Sequence, residues 1–247
     1  MKQIYYYYVL GIIILAVIAG AWYLMAKQDM APQPSQQTNL QNQLNQQTQP
    51  TTLPGQMSFF ITSKNPGRGG DLGGLTGADN YCQSMGASAG AGNKNWRAYL
   101  STQANSNSPA VNARDRIGTG PWQNAKGVVI ASSLEELHNG NNLTKQTALD
   151  EKGAEVNGRG NTPNWHDIMT GSGPDGRTIA TSTDMTCDNW TEDRRGGAMV
   201  GHHDRQGTSD TAPARSWNSS HRSRGCSLEE LASTGSGGLI YCFAANQ

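Results

Sequence analysis

Between Gly201 and His221 the chain carries its densest set of reactive side chains: His202-His203-Asp204-Arg205, then Asp210, Arg215, Trp217, Asn218, Ser219, Ser220 and His221. Imidazole together with carboxylate is a donor set suited to Zn²⁺. His202, His203, Asp204 and His221 are therefore the metal-ligand candidates, joined by His166-Asp167 if the fold brings that pair close. Adjacent residues of an extended segment point to opposite sides, so only one of His202 and His203 readily joins a given site. The same residues permit a second chemistry, with a histidine as general base for Ser219 or Ser220 and Asp204 as its orienter. Neither serine sits in a glycine elbow. These groups define the hydrolytic reading.

A different set reads as a recognition surface. Asp188-Asn189-Trp190 and Trp217-Asn218 place a large ring beside carboxylate or amide groups, which suits stacking on a sugar while bonding its hydroxyls. Arg177 joins them as a ligand-binding candidate. Ca²⁺ is the cofactor to weigh beside Zn²⁺: Asp150 and Glu151 offer carboxylates, although their turn lacks the alternating oxygen ligands of an EF-hand and reads as surface.

The body that must position these groups runs from residue 57 to 247, and its secondary structure comes in short pieces. Ser58–Thr62 reads as a strand ended by Asn65-Pro66-Gly67. From Gly77 to Ala89, Tyr81, Cys82, Met85 and Ala89 recur at helical spacing, with Asp79 in the first turn. Trp96–Leu100 alternates as a strand. A second helix spans Ser133 to His138, capped by Ser132 or Ser133 and closed by Gly140. Beyond residue 141 turns dominate until the last strand, Gly238–Phe243. The expectation is an α+β domain with two short helices, mixed or antiparallel strands and long loops.

Four cysteines, Cys82, Cys187, Cys226 and Cys242, all fall in this body. Their even number in a loop-rich chain points to two disulfides rather than a zinc site, because no two lie close together. Three pairings are open. The nested one joins the first helix to the last strand and pins the C-terminal loops.

Residues 4–26 carry no formal charge and would reach roughly 34 Å as a helix, against a hydrocarbon core of about 30 Å. Tyr5 to Tyr8 at one end, with Trp22 and Tyr23 near the other, suit the two headgroup regions. Ala19-Gly20-Ala21 offers a peptidase site, but the apolar run continues past it, so residues 1–26 are expected to be an uncleaved signal-anchor in contact with membrane lipid. The amino group and Lys2 favour a cytoplasmic N-terminus and a periplasmic or extracellular C-terminal domain. Residues 27–56 hold ten glutamines and four prolines and read as a flexible linker. Nineteen basic groups balance nineteen acidic ones, which argues against a nucleic-acid partner.

The cysteine frame and its surroundings resemble the endostatin-like branch of the C-type-lectin-like fold. The likeness is carried by Leu72–Cys82 followed by Trp96–Thr102, then Ala113–Arg116 and the helix up to Gly140. Thr170–Ser172, Asp175–Arg177, Cys187–Thr191, Cys226 and Leu239–Phe243 follow in order. It covers nearly all of residues 58 to 245 and implies the nested cysteine pairing. The histidines with which animal endostatins hold zinc near the module's N-terminus have no counterpart between Met57 and Gly70. The Glu-Pro-Asn and Gln-Pro-Asp tripeptides of calcium-dependent lectins are missing too. The functional expectation is a membrane-anchored extracytoplasmic module that binds a glycan or an envelope or membrane protein through its loops, as a subunit of a membrane complex. Its rival is a metal-assisted hydrolase built on the histidines and aspartate of residues 202–221.

Overall fold

In the computed structural model, which describes residues 56–245, the apolar run near the C-terminus becomes the axis of the molecule. In chain order the elements are β1 (Phe59–Ile61), α1 (Gly74–Ser88), β2 (Trp96–Ala98), β3 (Trp122–Gln123), β4 (Val129–Ala131), α2 (Leu134–Asn139) and β5 (Asp167–Met169). After them come β6 (Met199–His202), β7 (His221–Arg222), α3 (Leu228–Ala232) and β8 (Ser236–Ala244). One edge of β8 takes β1 antiparallel; its other edge is shared by β2, antiparallel, and β5, parallel. Strands β6 and β7 continue the sheet antiparallel beyond β5, while β3 and β4 pair apart from it. The class is α+β with a mixed sheet and short helices.

A strand alternates its side chains between two faces, and here both faces are covered, which explains the unbroken apolar run of β8. Phe59, Ile61, Leu239, Tyr241 and Phe243 join one buried cluster with Tyr99, Trp122 and Trp217. Phe60, Ile240, Cys242 and Ala244 join the other with Trp96, Trp190 and helix α1. Disulfides Cys82–Cys242 and Cys187–Cys226 cross the second cluster, the first tying α1 to β8. Each closes a long loop and contributes about 2–4 kcal/mol.

Helix α1 starts three residues earlier than its periodicity indicates, so Asp79 lies in its second turn instead of at its positive end. The carboxylate serves tertiary structure there, accepting from Ala98 N at 2.9 Å and pairing with Arg97 at 2.8 Å and Arg116 at 2.7 Å. A third helix, α3, was not expected. Ser227 and Glu230 close a reciprocal capping box at its start.

The membrane expectation is corrected. Among the described residues no helix is long and apolar enough to cross a membrane, and the proposed anchor at residues 4–26 lies outside them, as does nearly all of the linker at 27–56. Lipid contact and single-pass topology were expected of that span, and no helix among the described residues supports them.

Candidate metal centre

Three very short strands build the site. Asp167 opens β5 and lies directly across from His202, the last residue of β6. In turn His221, the first residue of β7, is opposite Val200, two residues before His202. Directly opposed residues of antiparallel strands share a face, as do residues two apart on one strand. Asp167, His202 and His221 therefore gather on one side of the sheet. The parallel pairing with β8 sets the height of Asp167: its N–H donates to Gly235 O at 3.0 Å and its carbonyl accepts from Ser236 Oγ at 2.8 Å. Gly235, at φ +103°, has to be glycine, since a Cβ there would lie 2.9 Å from His166 Cδ2. At Gly201 a Cβ would strike Trp217 O at 1.9 Å, in the segment whose Ser216 carbonyl accepts from His202 N.

His166 stacks on His202, ring centres 4.3 Å apart and planes 12° from parallel. Both imidazoles converge on one oxygen: His166 Nε2 and His202 Nε2 each lie 3.2 Å from Asp167 Oδ1. His221 Nε2 lies 3.5 Å from Asp167 Oδ2. His166, Asp167 and His202 are buried, and one ligand atom from each falls within 4.8 Å of the others. These contacts are close without being aligned as hydrogen bonds. Within the cluster, Asp167 Oδ1, Asp167 Oδ2, His202 Nε2 and His166 Nδ1 remain buried with no hydrogen-bond partner.

The tautomer of His202 sharpens this. Its Nδ1 is 2.7 Å from the carbonyl of Ala214, which can only accept, so Nδ1 carries the hydrogen. With Nε2 bare, a lone pair meets a carboxylate oxygen, an opposition that a bound metal cation relieves and that a proton on Nε2 would also relieve. His166 is supported from behind by Asp204, whose Oδ1 lies 3.5 Å from Nδ1. Carboxylate–imidazole pairs of this kind orient metal-ligating histidines. Burial pushes the Asp204 carboxyl up, but His166 and the N–H groups of Arg159 and Gln206 outweigh it and hold its pKa at about 2. For Asp167, burial is again opposed, here by the imidazoles of His202, His221 and His166, and the carboxyl ends below its ordinary value. Ligand atoms of a tetrahedral zinc ion with bonds of about 2.0–2.1 Å stand about 3.3 Å apart. The 3.2 Å separations fit that spacing. A His166/Asp167/His202 cluster able to coordinate a metal ion is thus part of the fold.

No family model and no curated protein matches the chain. Membership of the endostatin-like or C-type-lectin-like families is corrected on that ground, and the fold is described as α+β without a family label. The glycan- or partner-binding module is corrected as well, because its rings are unavailable. Trp190 is fully buried with its indole N–H on Ser101 O at 2.8 Å, and Trp217 is 2 % exposed. Asn218 is buried too, donating to Tyr99 Oη at 3.1 Å and to the carbonyls of Gly173 and Pro174. Asp188 and Asn189 occupy a left-handed turn in which four successive residues, Cys187 to Trp190, have φ between +48° and +70°. Asn189 there clamps the main chain of Gln103 in both directions. Arg177 is exposed and pairs with Asp175 at 3.3 Å. The calcium carboxylates are committed elsewhere: Asp150 Oδ1 accepts from Lys152 N and Ala154 N, and Glu151 accepts from Ser63.

Of the residues singled out for metal, the strands bring His202 and His221 to the cluster and place Asp204 behind His166. His203 turns away, its Nε2 3.2 Å from Asn157 O, and burial lowers its pKa. Asp167, the carboxylate at the centre, was named only as a companion of His166. Its signal was an acid followed by the apolar pair Ile168-Met169, the start of a buried strand.

Proposed function

We propose that this protein is a metal-assisted hydrolase, with a zinc-class divalent cation held by His166, Asp167 and His202. The observation that carries the reading is the facing pair His202 Nε2 and Asp167 Oδ1, both buried, both without a hydrogen-bond partner and 3.2 Å apart. Two imidazoles and one carboxylate favour zinc over calcium, which prefers six to eight oxygen donors. Bound there, such a cation supplies Lewis acidity, polarising a carbonyl or phosphoryl group and acidifying water. Three protein ligands leave a position open for that chemistry.

The chain's own residues complete the arrangement. Ala214 O fixes the His202 ring so that Nε2 faces the cluster, while Asp204 stands 3.5 Å behind His166 Nδ1 as a charge without an aligned hydrogen bond. A cleft of about 270 Å³ opens on the cluster, lined by His166, His202, His221, Arg159, Ser209 and Ser220 among others. His221, half-buried at this opening, donates from Nδ1 to Arg222 O and keeps Nε2 toward Asp167.

Elemental analysis of the full chain, purified without chelator, tests the reading. One equivalent of zinc or a neighbouring transition metal per chain is expected, together with hydrolysis of chromogenic esters or phosphoesters that a chelator removes and zinc restores. Protein that takes up no stoichiometric transition metal even after incubation with zinc would sink it.

A further inference from the structure

Beside the cleft on the metal cluster lies a second one of about 410 Å³, and the two share Arg159, Thr208 and Ser209. Three guanidiniums, those of Arg159, Arg205 and Arg215, line the second cleft with a single carboxylate, Asp210. Two of the three are already engaged. Arg205 donates to Leu143 O at 3.1 Å, to Arg215 O at 3.2 Å and to Asn141, while Arg215 pairs with Asp210. The guanidinium of Arg159 has no ion-pair or hydrogen-bond partner among the described residues.

Its main chain, by contrast, is firmly held. Arg159 N donates to Asp204 Oδ2 at 2.6 Å, and Asn161 Oδ1 accepts from Gly158 N at 2.9 Å and from Lys145 Nζ at 2.7 Å. The carboxylate that anchors Arg159 is the one that faces His166 Nδ1. A fixed backbone therefore carries an uncommitted guanidinium to the wall of the cleft that contains the metal ligands. The planar fork of arginine matches a phosphate or carboxylate with two parallel hydrogen bonds.

We infer that Arg159 anchors an anionic oxyacid group of the substrate, a phosphate or a carboxylate, with the bond to be cleaved directed at the His166/Asp167/His202 cluster. As a statement about a substrate this rests on the hydrolase reading; as a statement about an anion site it does not. Hydroxyls of Thr208 and Ser209, shared by both clefts, supply further donors to the same group.

Calorimetric titration of the full chain with inorganic phosphate and with acetate, zinc-loaded and metal-free, tests the inference. Both protein forms should bind at least one anion, and the preferred anion identifies the group as phosphoryl or carboxyl. Arg159→Ala should weaken binding to the metal-free protein at least tenfold with metal content unchanged, and Arg159→Lys should recover part of it. Arg195→Ala, which removes a guanidinium that is 90 % exposed and lies outside both clefts, should leave binding as it was. Equal binding by wild type and Arg159→Ala, or no binding of either anion by wild type, overturns the inference. Arg159-dependent binding in a chain that takes up no metal would leave the anion site standing and remove the hydrolase reading alone.

Discussion

At His138 both ring nitrogens are engaged in ordinary hydrogen bonds; at His202 only one is. His138 Nδ1 donates to Leu134 O at 2.7 Å, one turn back along α2, and Nε2 accepts from Tyr99 Oη at 2.8 Å. Tyr99 Oη accepts in turn from Asn218 Nδ2, so donors and acceptors alternate along the chain of groups. Around His202 the alternation fails at Nε2, which meets a carboxylate oxygen. A buried polar group left unmatched costs about 1–3 kcal/mol, more when charged. The first cluster is complete as protein, whereas the second becomes complete with a cation. His138 is only partly buried whereas His202 and Asp167 are buried, and the direction of lone pairs separates the two places further.

The sharpest way to break that comparison is Asp167→Asn. The amide keeps the shape and removes the charge shared by three imidazoles. Zinc affinity should fall by more than about a hundredfold, beyond the 10–100-fold typical of changes in the groups behind the ligands. Competition against a chromogenic chelator measures it. Affinity within threefold of wild type would mean that the convergence on Asp167 is a structural coincidence.

His138 sharpens the other half. His138→Ala leaves the Tyr99 hydroxyl without its acceptor and should cost about 1–3 kcal/mol while metal content stays the same. Acid should act in the same direction. Burial is the main cause that lowers the His138 pKa, so the folded chain binds its proton less readily than the unfolded one. The stabilisation is fully present above the ordinary histidine value of about 6.5 and is lost as the pH falls from there toward the folded-state value. Urea melts of wild type and His138→Ala across that window should converge as the pH drops. A constant gap between them would show that folding leaves the proton affinity of the imidazole unchanged.

What could be read from the chain tracks the length of its elements. The fifteen residues of α1 and the nine of β8 are long enough for side-chain period and apolar content to show. Strands β5, β6 and β7 have three, four and two residues, too few for any period, and they are the ones that carry the site. What aligns Asp167, His202 and His221 is cross-strand register, and register here depends on β8, which comes after all three in sequence. The choice between Asp204 and Asp167 as the central carboxylate was invisible for that reason. The rings of Trp190 and Trp217 admit two readings from sequence, core filling in a glycine-rich chain and a sugar platform beside polar neighbours, and their burial decides for the core. The capping box from Ser227 to Glu230, by contrast, is legible in the sequence alone.

The smallest expected effect bears on which atom does the chemistry. Ser220 Oγ lies 3.3 Å from His202 Nδ1, and Asp167 lies across the ring, so the three imitate a nucleophilic serine triad. The imitation fails at one nitrogen. Ala214 O, closer at 2.7 Å, requires that Nδ1 carry the hydrogen, and a nitrogen that already holds a proton cannot take one from Ser220. The basic nitrogen is Nε2, which faces away from the hydroxyl. Asp204, the orienter suggested by its position in sequence, faces His166 instead, and Ser219 donates its N–H to Ser216 Oγ. Ser220→Ala should therefore change hydrolysis less than about twofold, since it removes at most one weak, shared hydrogen bond, and an organophosphorus reagent should leave no adduct on the wild-type chain. A nucleophilic Ser220 would instead cost about a thousandfold or more on mutation and would be labelled stoichiometrically. That result would move the chemistry from the cation to the hydroxyl and turn His202 from a ligand into a base.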